Sequence, residues 1–398
     1  MNQVLQMASP LQDARRRPDP GPGSGVEPDW PKASNAAAAA ISAHEPPEVI
    51  RVEQLCKVFG PQEARVRQRV KTGQGFEDAA SAEGVIPPLS EVNLSIRQGE
   101  IYAIMGLSGS GKSTLVRCIN GLVQPTLGRV TVEGTSIGDA SARALRELRQ
   151  RRMSMVFQTF ALLPHLSVAA NVEFGLMLRR DDLAVRRRRV EEVLAMVDLS
   201  AWKDRRVDEL SGGMKQRVGL ARALAPDPDI LIMDEPFSAL DPLIRRSLQD
   251  ELLRLQKELK KTIIFVTHDF DEATRIGSRI LIMKAGRAVQ VGTAAQLFGT
   301  PCDDYVRAFT AHADGMQLLT AGDLARDMPA TAEDTAPADA TNALVFSCDT
   351  PLARMLPELR LGRMVSLEAP HGRGTRLVRA ERVLAFVGAL YAAAGRTA

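Results

Sequence analysis

The sequence has little cysteine: Cys56, Cys118, Cys302 and Cys348 are the only four in 398 residues, and none forms a C-x-x-C pair. That spacing offers neither a zinc site nor a disulfide framework, and a reducing cytoplasm suits it. No run of about 18 apolar residues occurs, so no segment is expected to span a bilayer, and any membrane role is expected to come through a partner. The first residues lack an apolar signal core and are not expected to direct secretion. A dominant charge is missing as well. Net charge is +3, and no basic stripe is interleaved with the few aromatics (4%), so nucleic acid is not an expected partner. The densest basic run, four arginines at 186–189, is flanked by Asp181, Asp182, Glu191 and Glu192 and reads as a solvated helix face.

What is present is an ordinary globular balance, 45% hydrophobic and 25% charged, over a length that suggests two or three domains. Residues 1–48 are the exception. They are rich in Pro, Ala, Gly and Ser, bury too little apolar surface to offset their ordering entropy, and read as a disordered arm with Trp30 as an isolated aromatic. From residue 49 short apolar runs alternate with helical patterns: "EVIRVEQL", "GEIYAIMG", "MSMVFQ", "DILIMDE" and "TIIFVTHD" read as strands. "DPLIRRSLQDELLRLQKELKK" is the clearest helix, with Ile244, Leu248, Leu252, Leu255 and Leu259 on one face, Asp241 as cap and Pro242 at the first helical position. "SRILIMKAGRAVQVG" reads as a hairpin around "KAGR". The alternation predicts an α/β fold with a mainly parallel central sheet covered on both faces. The pattern weakens near residue 310; 328–342 reads as a linker, and the segments after it as a small α+β unit.

"GLSGSGKST" matches G-x-x-x-x-G-K-[ST] in full, between an expected strand and an expected helix. Its residues Gly106, Ser108, Gly109, Ser110, Gly111, Lys112, Ser113 and Thr114 form the expected ATP-phosphate cradle. Glycines let successive N–H groups point inward at phosphate oxygens, and the helix N-terminus adds partial positive charge. Lys112 is expected on the β- and γ-phosphates and the Ser113 hydroxyl on Mg2+. The apolar strand "ILIMDE" ends in two acids. Asp234 suits Mg2+, while Glu235 is placed to polarise an attacking water. His268 and Gln158 end two further strands. Strand ends on the carboxyl edge of a parallel sheet converge, so His268 is expected near the γ-phosphate and Gln158 near Mg2+ or the attacking water. His44, His165, His312 and His371 have no such placement and are assigned no catalysis.

A second glycine turn, "LSGGMKQR" at 210–217, also precedes a helix. With the phosphate loop, Gln158, "ILIMDE", "SALD" and His268 in this order, residues 49–312 strongly resemble the nucleotide-binding subunit of ABC transporters. The resemblance implies a P-loop ATPase with a helical subdomain. It implies that Ser211, Gly212, Gly213, Gln216 and Asp241 bind the ATP of a second copy, so that two chains sandwich two ATPs. It implies that Phe59 stacks on adenine, against the alternative of a core role. It also implies that region 158–176 receives a membrane permease subunit, that a substrate-binding protein acts indirectly, and that the chain sits peripherally on the cytoplasmic face of the inner membrane. One "LSGG" and no sustained heptad separate it from soluble cassette proteins that act on DNA or ribosomes, and Glu235 with His268 separates it from a regulator without turnover.

A narrower resemblance is carried by an extra stretch, "PQEARVRQRVKTGQGFEDAASAEGVIPP", with "FQTFALLPH", "SALDPLIRRSLQDEL" and "DDYVRAF". It points to the ATPases of glycine betaine/proline importers, with choline, histidine or a sulfonate as alternative cargo. Residues 313–398 resemble one degenerate CBS module where such relatives often carry a pair, so a sensing role and a packing role both stand as expectations.

Overall fold

The computed structural model describes residues 46–158, 161–311, 315–328, 343–348, 350–362, 364–368 and 375–393. The arm read at 1–48 and the linker read at 328–342 lie almost wholly outside these residues. The strands in chain order are β1 (Glu48–Lys57), β2 (Leu89–Arg97), β3 (Ile101–Met105), β4 (Leu127–Val132), β5 (Thr135–Ser136), β6 (Met153–Val156) and β7 (Ile230–Asp234). They continue with β8 (Thr262–Thr267), β9 (Arg279–Lys284), β10 (Arg287–Gly292), β11 (Leu344–Phe346), β12 (Met364–Glu368) and β13 (Thr375–Arg379).

The central sheet runs β10-β9-β3-β8-β7-β6. β9, β3, β8, β7 and β6 are parallel, and β10 closes one edge as the antiparallel arm of the expected hairpin. Every residue of β3, β7 and β8 is buried, as expected for parallel strands covered on both faces. Successive side chains serve opposite layers. Leu231 and Met233 of β7 pack with Val172, Val193 and Val218 of the helices Val168–Leu178, Leu183–Met196 and Gly212–Leu224, whereas Ile230 and Ile232 pack with Ile119 and Val130 on the other side.

That other side holds a second, antiparallel sheet, β2-β1-β4-β5. Only β1 was expected. The signal for β2 lies in "EVNLSI", where Val92, Leu94 and Ile96 are buried and Glu91 and Asn93 are exposed, a strict period of two. The extra stretch before β2 folds into helices Glu63–Lys71 and Phe76–Ala82, whose Val66, Phe76, Ala79 and Ala80 pack on Cys56 and Val58.

Two helix expectations change in detail. In Pro242–Leu259 the buried face is Leu248, Gln249, Glu251, Leu252 and Leu255, while Ile244 is 39% exposed. The arginine run is only half solvated. Arg186 and Arg189 lie on the inward side of their helix, Arg186 donating to Glu173 Oε1 at 2.8 Å and Arg189 to the Leu224 and Ala225 carbonyls at 3.1 Å; Arg187 and Arg188 are exposed. The three-residue step between Arg186 and Arg189 is about one helical turn, so both project from the same helix face, Arg186 toward helix Val168–Leu178 and Arg189 toward the end of helix Gly212–Leu224.

The C-terminal residues form the sheet β11-β12-β13 with helices Leu352–Leu359 and Ala380–Ala393. Their core, including Met355, Leu367, Val383 and Val387, is completed by Ala295 and Phe298 from helix Ala294–Gly299.

Candidate active site

The central strand order β3-β8-β7-β6 sets the site. The carboxyl ends of these four neighbours carry, in turn, the phosphate loop, His268, Glu235 and Gln158. Two glycines of the loop are required by space as well as by dihedral angle. Gly106 (φ 151°) and Gly111 (φ 100°) are seated so that an added Cβ would lie 2.3 Å from the Met283 carbonyl oxygen and 2.2 Å from that of Pro88. Lys112 opens helix Lys112–Ile119 and is 5% exposed, its Nζ donating to the Gly106 and Leu107 carbonyls at 2.8 and 3.1 Å. Burial pulls its pKa below that of a free lysine, opposed by Glu235, 3.8 Å away, and by Asp234. The Ser113 hydroxyl donates to Asp234 Oδ1 at 3.0 Å. Asp234 is 6% exposed, and this burial pushes its pKa above the usual aspartate range, with the Ser113 hydrogen bond opposing. Ser110 is buried with its hydroxyl unpartnered among the described residues; Ser108 is exposed and Thr114 half-buried.

Glu235 follows β7 in the left-handed region (φ 47°), a conformation that costs a non-glycine residue about 1–2 kcal/mol. Its amide is fixed by a 3.0 Å bond to the Val266 carbonyl of β8. Its Oε2 lies 3.3 Å from His268 Nδ1 and 3.4 Å from Gln158 Nε2. One carboxylate therefore meets an imidazole, an amide and an ammonium from three other strand ends, beside the phosphate loop.

The remaining expected residues lie elsewhere. Ser211 caps helix Gly212–Leu224 by accepting from Met214 N at 3.4 Å. A Cβ on Gly213 would fall 2.7 Å from Ile244, and one on Gly212 would touch Leu240 at 3.5 Å. Asp241 caps the next helix, its Oδ1 accepting from Leu243 and Ile244 N–H at 3.1 and 3.0 Å. Gln216 is 2% exposed, so its side chain presents almost no surface. Among the described residues no hydrogen bond or ion pair joins this group to the phosphate loop, Asp234, Glu235 or His268. Phe59 is 50% exposed, with Lys57 Nζ 5.1 Å from its ring centre, so it is not a core residue.

Several supporting residues escaped the sequence reading. Ser238 donates to the Glu235 carbonyl at 3.1 Å and lies 3.4 Å from Gln158 Nε2; only its place in "SALD" marked it. The Thr267 hydroxyl donates to buried Glu272 and accepts from Asp269 N at 3.1 Å, fixing both flanks of His268. Fully buried Asn171 accepts from Leu163 N at 2.8 Å and donates to the Leu163 and Ser167 carbonyls at 3.0 Å, shaping the segment after Gln158. A polar residue inside "VAANVEFGL" was its only signal.

Comparison with known proteins places this geometry. Residues 89–238 match the family described as ABC transporter. The chain is 48% identical over 282 residues to the glycine betaine transport ATP-binding protein of Bacillus subtilis, covering 71% of this chain and 68% of that protein. It is 49% identical over 278 residues to the trimethylamine N-oxide transport system ATP-binding protein of Ruegeria pomeroyi, covering 70% and 82%. Among solved structures it is similar to a dimeric ATP-binding cassette in a post-hydrolysis state bound to ADP and phosphate, at 33% identity and a TM-score of 0.52, covering 61% of this chain and 98% of that one. The chain belongs to the ABC transporter family, as an ATP-binding subunit of the ATPase type.

Proposed function

We propose that the site works on MgATP through the residues gathered at the β3, β8, β7 and β6 ends, and that hydrolysis powers import of a small methylated amine such as glycine betaine. The observation that carries the chemistry is the convergence on Glu235, with His268, Gln158 and Lys112 all within 3.3–3.8 Å. Glu235 takes a proton from the attacking water as its oxygen bonds to the γ-phosphorus and the bond to the bridging β,γ-oxygen breaks. Lys112 and the loop N–H groups hold the β- and γ-phosphates, and His268 faces the transferred group.

Among the described residues no three His, Cys, Asp or Glu side chains cluster to hold a metal. The donors at hand are instead the Ser113 hydroxyl, the buried Asp234 carboxylate it touches, and the Gln158 amide. These are hard oxygen ligands, few in number, which suits Mg2+ shared with substrate phosphates. When bound, the ion would offset phosphate charge.

The second turn supports a paired arrangement. Ser211 caps the 13-residue helix that Gly212 and Gly213 open; Ile244, 39% exposed, stands against Gly213, and the residue before it, Leu243, is 84% exposed. Exposed apolar side chains next to free helix N–H groups suit a surface that meets another chain and its phosphate. On this reading Ser211, Gly212, Gly213 and Asp241 face a partner's ATP, Phe59 stacks on adenine in its own chain, and the γ-phosphate closes the dimer. Among the described residues no helix is long and apolar enough to cross a membrane. On the same reading region 158–176, in which Asn171 bonds Leu163 and Ser167, docks on a permease subunit at the cytoplasmic face.

The cargo rests on the relatives named for glycine betaine and trimethylamine N-oxide, two solutes that share a methylated nitrogen. Uptake of labelled glycine betaine into cells with and without the gene, at normal and raised osmolarity, tests it. The expected result is loss of uptake that the wild-type chain restores and Glu235→Gln does not. Unchanged uptake, with no second carrier present, would remove this cargo.

A further inference from the structure

The extra segment between β1 and β2 is more than a surface ornament. Its second helix, Phe76–Ala82, presents Glu77 to two residues outside the segment. Glu77 Oε1 accepts from the Ser90 hydroxyl at 2.8 Å and from Arg287 Nε at 2.8 Å. Those two residues flank one peptide, that of Gly286 in the β9–β10 turn. Ser90 N donates to the Gly286 carbonyl at 2.9 Å, and Arg287 is the next residue along the chain. Gly286 N in turn donates to the Ser110 carbonyl of the phosphate loop at 3.1 Å. The segment's exit adds a steric contact. The Pro88 carbonyl oxygen lies against both Gly286 and Gly111, close enough that a Cβ on either would be 2.9 or 2.2 Å away. The first helix, Glu63–Lys71, reaches the other end of the site. Glu63 accepts from Lys57 Nζ and from the Thr126 hydroxyl, each at 2.9 Å; Lys57 lies over the Phe59 ring, and Thr126 accepts from Val58 N at 2.9 Å.

We propose that segment 61–88 is a brace for the nucleotide site, with Glu77 the positioning residue that holds the Gly286 turn against the phosphate loop. The inference rests on the reading of that loop as the ATP site. Glu77 touches no nucleotide itself; it acts through Ser90, Arg287 and Gly286. The arrangement makes the shape of the loop depend on an ion pair half open to water, with Glu77 52% and Arg287 48% exposed at the side chain. A pair that exposed contributes little to global stability. Its loss therefore loosens the loop without unfolding the chain, and the loss should appear in ATP affinity.

The test uses the purified full-length chain, with ATP binding measured by calorimetry and hydrolysis measured as a function of ATP concentration. Glu77→Ala, Arg287→Ala and the double variant are compared with Glu258→Ala, which removes a pair of similar exposure with Arg254. The expected result is an ATP KM and Kd raised about three- to tenfold in all three brace variants, with kcat within about twofold and the double variant no worse than either single. Glu258→Ala should leave KM and Kd unchanged. Unaltered KM and Kd in the brace variants would overturn the proposal, as would a fall in kcat alone or equal effects in Glu258→Ala. If Glu77→Ala does not fold, Glu77→Gln keeps the Ser90 acceptor, weakens the Arg287 contact and takes its place in the same comparison. A wild-type chain that neither binds nor hydrolyses ATP would instead sink the nucleotide-site reading beneath it.

Discussion

The molecule carries two glycine turns at helix N-termini, and their surroundings differ. Both offer backbone N–H groups, the ready-made donors of a helix start. The turn at Gly106–Ser113 opens among Asp234, Glu235, His268 and Gln158, with Lys112 reaching back across it. The turn at Ser211–Gly213 opens beside Leu240 and Ile244, with no acid, base or cation linked to it among the described residues. On the proposed reading a phosphate at the first turn would meet Lys112, Glu235 and His268, with Ser113 and Asp234 beside it for Mg2+. A phosphate at the second would meet donors and nothing else. One fold thus holds a nearly complete half-site and a bare complementary half, which is the composition expected if catalysis needs two chains.

The strongest way to break this comparison is to remove the proposed base. Glu235→Gln keeps an amide in reach of His268 and Lys112, so ATP should still bind while hydrolysis falls by about 10²–10⁴-fold. Light scattering should then show an ATP-dependent dimer; a variant that stays monomeric in saturating ATP contradicts the paired reading. Next in size is a mixing experiment. Lys112→Ala damages only the first turn and Ser211→Arg only the second, and each variant alone should be inactive. If the two turns act on one ATP across chains, the mixture regains activity, because one composite site in each mixed dimer carries neither defect. If they act within a chain, the mixture stays dead. A smaller effect comes from Ser211→Ala, which loses the side-chain cap on Met214 N. Its cost should be about 1 kcal/mol of stability in the absence of nucleotide, read by denaturant unfolding. No change would mean that the cap is idle in the free chain.

The same comparison shows what the sequence can tell. The first half-site was legible because each member ends an all-apolar strand: "GEIYAIMG", "ILIMDE" and "TIIFVTHD" give position and direction together. Parallel order then brings the ends to one edge without further information. Less visible was what depends on tertiary approach. In the second sheet β4 and β5, six and two residues long, are too short for alternation to stand out, and Glu77 looks like any surface acid until Ser90 and Arg287 are folded onto it. Gln216 shows the converse. Motif position put it at a partner surface, but helix Gly212–Leu224 turns it inward at 2% exposure. A local pattern names a helix; which face is covered is settled by the neighbours.

The gentlest test concerns the stability cost of having a catalytic half-site at all. Asp234 is buried with one hydroxyl partner, and desolvation raises its pKa above 3.8 in the folded chain. Between 3.8 and that raised value the native state binds more protons than the unfolded state, so this group's contribution to stability falls as pH rises through the window and the loss is complete above it. Asp234→Asn removes the charge and keeps an acceptor for Ser113. At neutral pH it should raise Tm on the order of 2 °C while abolishing Mg2+-dependent hydrolysis, and the gain should shrink as pH is lowered into the window. The matching change at the second turn, where no buried acid adjoins the glycines, has nothing to relieve: Asp241→Asn keeps a capping oxygen on an exposed residue and should leave Tm nearly unmoved. A stabilised Asp234→Asn beside an indifferent Asp241→Asn would show that strain is stored only where the chemistry is. A destabilised Asp234→Asn would mean that attraction to the charges of Arg117 and Lys112, which an amide cannot replace, offsets the carboxylate's burial.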